Sequence, residues 1–124
     1  MAKSSKYFSE AELSCNCCGG FPSDNGVDDR LLDVLDKMRE AINRPMSISC
    51  AYRCPSHNAE VGGVPNSQHV DGTAADVILP DNIDIEDFAK LAEACGADGI
   101  GKYYDSGFVH VDTRGSEARW TDRD

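Results

Sequence analysis

An aspartate stands inside an apolar run, Thr73-Ala74-Ala75-Asp76-Val77-Ile78-Leu79. The run reads as a strand, closed by Pro80-Asp81-Asn82. A carboxylate buried in such a strand is costly unless a cation or hydrogen-bond donors face it. The fold therefore has to bring a partner to position 76. One candidate is close by: His69 lies seven residues upstream, with small residues between. Gly72 allows a sharp backbone turn there, and Ala74 leaves space beside the pair. A second histidine, His110, sits in Gly107-Phe108-Val109-His110-Val111-Asp112. Two histidines and a carboxylate are the ligand set of a catalytic zinc, which keeps its fourth position for water. That water can become the nucleophile of a hydrolase.

The remaining patterns supply a scaffold. Leu31, Leu32, Val34, Leu35, Met38, Ala41 and Ile42 recur at helical spacing and predict an amphipathic helix over 29–43. Asp28 or Asp29 is its expected cap, and Pro45 marks its end. A strand is expected over 46–50, with Met46, Ile48 and Cys50 on one face. A short helix over 55–63, ended by Gly62-Gly63, and a loop over 64–72 lead into the 73–79 strand. A second helix over 85–95 is capped by Asp84, carries Ile85, Phe88, Leu91, Ala92 and Cys95 as its stripe, and ends at Gly96. Strands over 97–104 and 108–112 are joined by a turn at Asp105-Ser106-Gly107, and Trp120 packs back from a polar tail.

This order predicts an α+β domain, a small antiparallel sheet with helices packed on one face. Side chains alternate along a strand. Val109 and Val111 point one way, and Phe108, His110 and Asp112 the other. Ala75, Val77 and Leu79 oppose Ala74, Asp76 and Ile78 in the same manner. The simplest arrangement buries the valine faces under the helices and turns Asp76 and His110 toward a common cleft.

The 124 residues are read as a single domain, with an irregular cysteine-rich segment over 1–26. A formal charge of -10 argues against a nucleic-acid partner and against attraction to an anionic membrane. No apolar run is long enough to span a bilayer, and no secretory signal follows the basic residues near Met1. The expected location is the cytoplasm, or the cell wall after release by another route, as for a phage lysis enzyme. Six cysteines leave three readings open: reduced thiols, disulfides, or a structural metal site built from Cys15, Cys17 and Cys18 with Cys54.

Ser67, His69, Gly72, Ala74 and Asp76 match a Ser-x-His-x-x-Gly-x-Ala-x-Asp pattern. With Ser49-Cys50-Ala51-Tyr52-Arg53-Cys54-Pro55, Asn58 through Gly63, and Phe108 through Asp112, the chain resembles the zinc D-Ala-D-Ala carboxypeptidase-like metallopeptidases. That family includes wall carboxypeptidases, vancomycin-resistance dipeptidases, phage endolysin peptidases and, by fold, the Hedgehog signalling domain. The resemblance runs from about Phe8 to Trp120.

The resemblance implies a Hedgehog-like fold with one Zn2+ held by His69, Asp76 and His110. It implies hydrolysis of a peptide bond in bacterial peptidoglycan stem peptides, either as a carboxypeptidase or as an endopeptidase; a monomer is expected. Some relatives end on a His-x-His pair, so Asp112 is an alternative to His110 as the last ligand. Relatives carry an acid or a histidine a few residues before that ligand. Gly107 stands three before His110, and Asp105 five before. Asp105, Asp112 or neither is the general base. Arg53 implies a substrate-carboxylate or oxyanion contact, with a loop-pinning role as its alternative. Ser67 binds substrate or fixes its loop, and His57 is a structural or surface residue rather than a ligand. A zinc-containing binding domain without hydrolysis is the rival function.

Overall fold

The computed structural model describes residues 4–15, 26–54, 59 and 68–121. Among the described residues, three helices and five strands follow one another: α1 (Glu10–Leu13), α2 (Asp29–Ile42), β1 (Ile48–Cys50), β2 (Ala74–Ile78), α3 (Ile85–Ala94), β3 (Gly99–Tyr103), β4 (Phe108–Asp112) and β5 (Ala118–Thr121). The short helix expected over 55–63 lies outside the described residues apart from Ala59, which is helical.

The sheet order is β1-β2-β4-β3-β5. Its pairs are antiparallel except β3 with β5, which is parallel. This corrects the expected all-antiparallel sheet and adds a strand in the tail. Four residues of alternating half-exposed and exposed character carry no strand signal of their own. Pairing with the open edge of β3 makes them one, helped by Asp98, whose carboxylate accepts from the Gly115 N–H at 2.9 Å and whose carbonyl accepts from the Ala118 N–H at 3.1 Å.

Helices α2 and α3 form where the periodicity puts them, whereas α1 corrects the expectation of an irregular segment over 1–26: Ser9 and Glu12 start it by bonding each other's backbone N–H. In α2, Leu31, Leu32, Val34, Leu35 and Met38 are buried, and Asn43 ends the helix at a left-handed φ of 54°. Asp28 holds the cap position of α2 but makes no side-chain cap bond; its carboxylate instead accepts from the Thr113 hydroxyl at 2.6 Å. Asp84 does cap α3, accepting from the Glu86 N–H at 3.1 Å.

Ala75 and Val77 of β2, Val109 and Val111 of β4, and Ile100 of β3 join Leu31, Leu35, Met38 and Phe88 in one core. A fully buried valine is worth about 1.5–3 kcal/mol. A one-residue slip of either central strand would expose its valines and drive Asp76 or His110 into that core. The register is therefore fixed, and it sends Asp76 and His110 to the other face of the sheet.

Strand β1 departs from expectation. Ile48 pairs with Val77, yet Cys50 pairs with Asp76, so the register shifts by one residue between them. An extra residue in one strand reverses the alternation beyond it. Ile48 packs against the core, while Cys50 parts from it and joins the row of Asp76.

Candidate metal centre

The register lines up one row of residues across the sheet. Cys50 lies opposite Asp76, Asp76 opposite His110, His110 opposite Gly101, and Gly101 opposite Trp120. Directly opposed residues share a face. His69 enters from the loop before β2, which is closed by Gly72 N–H to the His69 carbonyl at 3.3 Å and Thr73 N–H to the Gln68 carbonyl at 3.1 Å. Gly72 sits at φ 75°, a backbone conformation that favours glycine.

Each histidine is oriented from behind. His69 Nδ1 lies 2.7 Å from the Ala51 carbonyl oxygen, so it carries the proton and donates it there. Its Nε2 stands 3.2 Å from Asp76 Oδ1. His110 turns Nδ1 to the same oxygen at 3.1 Å, and its Nε2 is 2.8 Å from Asp112 Oδ2. The two rings meet edge-on at 5.1 Å. Asp112 is fully buried and accepts further bonds from the Gly99 N–H at 3.1 Å and from the Arg114 guanidinium at 2.7–3.1 Å. The Trp120 ring lies 5.0 Å from that of His110, and its indole N–H donates to the Tyr103 hydroxyl at 2.9 Å.

The charges follow from this packing. Burial opposes charge on His69, but its bonds to Asp76 and Cys50 outweigh burial and raise its pKa from 6.5 to about 9. Burial likewise works against the Asp76 anion, and hydrogen bonds from His110 and His69 overcome it, lowering its pKa to about 2. Asp112 is held well below the usual carboxylate range, against burial, by His110 and Arg114. The Cys50 thiol is shifted down by His69 and then Arg53, again in opposition to burial.

These donors fit a metal ion. Ligand bonds of about 2.0 Å in a tetrahedron separate two N or O ligands by about 3.3 Å. The two His–Asp76 separations, 3.2 and 3.1 Å, are close to that. Each imidazole is fixed through its other nitrogen by a carbonyl or a carboxylate, as metal-binding histidines are. Among the described residues, the donor atoms that lie within 4.8 Å of one another are those of Cys50, His69 and Asp76, and His110 adjoins this group through Asp76.

His69, Asp76 and His110 thus converge, and Asp112 stands behind His110 rather than beside the other donors. Asp105 is exposed in the β3–β4 turn, and no hydrogen bond or ion pair among the described residues joins it to the cluster. A strand rises about 3.3 Å per residue, so β4 begins about 7 Å beyond His110 and the turn lies further still. Arg53 is half-buried, donates its backbone N–H to the His69 carbonyl at 3.1 Å, and brings its guanidinium to the Cys50 thiol. Ser67 and His57 lie outside the described residues.

No disulfide joins Cys15, Cys50, Cys54 and Cys95 to one another, and Cys17 and Cys18 lie outside the described residues. The Cys54 N–H points to Cys15 Sγ at 3.3 Å. The sequence reading did not place Cys50 beside His69 and Asp76, because strict alternation assigns it to the core with Ile48. A separate cavity of about 400 Å³ lies between α3 and β3–β5 and includes none of these donors among its lining residues.

A family profile described as Peptidase M15 matches residues 6–112. The chain is also 44% identical over 50 residues to the ferredoxin-like protein YdiT of Escherichia coli (strain K12), a stretch that is 40% of this chain. It spans 50% of that curated relative, about half its length.

Proposed function

We propose that this chain, which belongs to the peptidase M15 family, hydrolyses a peptide bond in bacterial peptidoglycan stem peptides with one zinc ion held by His69, Asp76 and His110. The observation that carries this reading is the convergence of both imidazoles on one Asp76 oxygen, at 3.2 and 3.1 Å. When bound, zinc supplies a polarised substrate carbonyl and an activated water.

The protein's own groups supply the rest. Asp76 is the anionic donor, and burial in the sheet keeps it where no bulk water competes. The Ala51 carbonyl fixes His69 so that Nε2 faces the ion, and Asp112 fixes His110 so that Nδ1 does. Arg114 and the Gly99 N–H hold Asp112 in turn, which leaves it no oxygen to take the proton of an attacking water. Arg53 is assigned to a substrate carboxylate or to the oxyanion, because its planar, permanently charged fork suits both. Ser67, two residues before His69, is assigned to hydrogen bonding of substrate. Contact of Arg53 with a terminal carboxylate favours the carboxypeptidase form; contact with the oxyanion serves the endopeptidase form equally. At a net charge of -10 the protein gains no long-range pull toward anionic wall polymers, so docking relies on short-range contacts.

The second reading is a zinc-containing binding domain without hydrolysis. It is favoured by one observation: neither Asp105 nor Asp112 stands open beside the donors.

The test is release of new amino groups from purified peptidoglycan by zinc-loaded protein, chelated protein and a His110→Ala variant, with mass spectrometry of the fragments. Zinc-dependent release that the variant loses is expected, and the fragment masses identify the bond. Folded, zinc-loaded protein that releases nothing from any wall type would turn the choice to the binding domain.

A further inference from the structure

We propose that Cys50 is a fourth protein ligand of this centre, so that a sulfur closes the resting site and must leave before substrate can be processed. The inference rests on the zinc reading above and adds a residue to it.

The register shift in β1 is the first support. Without it, Cys50 would follow Ile48 toward the core; with it, Cys50 faces Asp76 across the β1–β2 pair. Bulges beside functional sites re-aim side chains in this way. Ser49, between the two, anchors the irregularity by donating its hydroxyl to the Asp76 carbonyl at 3.3 Å.

Distance is the second support. One donor atom each of Cys50, His69 and Asp76 falls within 4.8 Å of the other two. Zn–S bonds are about 2.3 Å, longer than Zn–N or Zn–O, so a sulfur ligand tolerates the wider spacing. The only soft donor in the set is this thiol, and thiolate is a preferred zinc ligand.

The chemical consequence follows from coordination number. His69, Asp76 and His110 alone leave one position open, as hydrolytic sites do; adding Cys50 fills it, as structural sites are filled. As the sulfur–metal bond forms, the thiol gives its proton to solvent. When the bond breaks, the sulfur takes a proton back and the position is open again. Cys50 therefore holds the balance between the hydrolytic and the binding-domain readings.

Cobalt(II) loaded into the full chain in place of zinc tests this, since a thiolate on cobalt gives an intense near-ultraviolet charge-transfer band. The parent should show the band. Cys50→Ser and Cys50→Ala should lose it while keeping the visible cobalt bands and a parent-like far-ultraviolet circular dichroism spectrum. Bound cobalt without the band in the parent, or a band that survives in both variants, overturns the proposal. Peptidoglycan hydrolysis by the zinc forms, run in parallel, separates the two ideas. Hydrolysis without a thiolate band removes Cys50 alone. A band with no hydrolysis by parent or variant removes the peptidase reading and keeps Cys50 as a ligand. Hydrolysis that is several-fold faster in Cys50→Ala than in the parent is the expected result.

Discussion

Gly99 lies directly beneath the Asp112 carboxylate: a Cβ built at position 99 would stand 2.2 Å from Oδ2 and 2.4 Å from Oδ1. Asp112 is buried and cannot swing outward without abandoning Arg114 and His110. Gly99→Ala should therefore displace the carboxylate that orients His110. Loss of such a supporting group costs about 10–100-fold in metal affinity or activity. Zinc competition against a chromophoric chelator should show that loss for Gly99→Ala, and a similar one for Asp112→Asn. Affinities equal to the parent's would mean that Asp112 does not support the ligand.

Gly101 performs the same service for Trp120, whose Nε1 would meet a Cβ at 2.4 Å. Gly101→Ala should push the indole off His110 and break its bond to Tyr103. Overpacking of this kind costs about 1–3 kcal/mol. A lower melting temperature together with a shifted Trp120 emission is the expected result; Trp120 is the single tryptophan, so its fluorescence reports on this site alone. Unchanged emission would show that the ring does not depend on the gap at 101.

For the metal-free protein, His69 and Asp76 set a pH window. The His69 pKa is raised from 6.5 to about 9, so its contribution is complete below 6.5 and is lost as pH rises through 9. The Asp76 pKa is lowered from 3.8 to about 2, so its contribution is present above 3.8 and is lost as pH falls through 2. Thermal melts in chelator should thus decline between pH 6.5 and 9, and His69→Gln should flatten that decline. A midpoint that climbs over this range in the parent would contradict the assigned ion pair.

Asp105→Ala probes the proton relay. Its exposed place in the turn, beyond the end of β4, predicts a change in zinc-dependent turnover of less than about tenfold, since a positioned acid–base group contributes about 10²–10⁴-fold. A fall of two or more orders of magnitude, with zinc retained, would return Asp105 to the role of base.

The two central strands show how far local pattern reaches. In β2 and β4 the apolar positions alternate without interruption, and burial of Val77, Val109 and Val111 leaves one choice of face for Asp76 and His110. The same logic makes α2 and α3 legible, because a helix that must bury a stripe repeats it in sequence. Arg53 could be nominated from a motif, yet its place beside Cys50 depends on how the 51–53 segment threads between the Leu13 carbonyl and the His69 carbonyl.

The sequence by itself therefore determined α2, α3, the central strands and the histidine–aspartate set, since these depend on periodicity within short windows. Tertiary structure decided what depends on register between distant segments. The slip in β1 turns Cys50 from the core to Asp76. The parallel edge strand β5 brings Trp120 to His110. Gly99 and Gly101 matter only because Asp112 and Trp120 lie across them. A bulge or an edge pairing is chosen by the free energy of long-range hydrogen bonds and burial, and no periodicity within either segment encodes it.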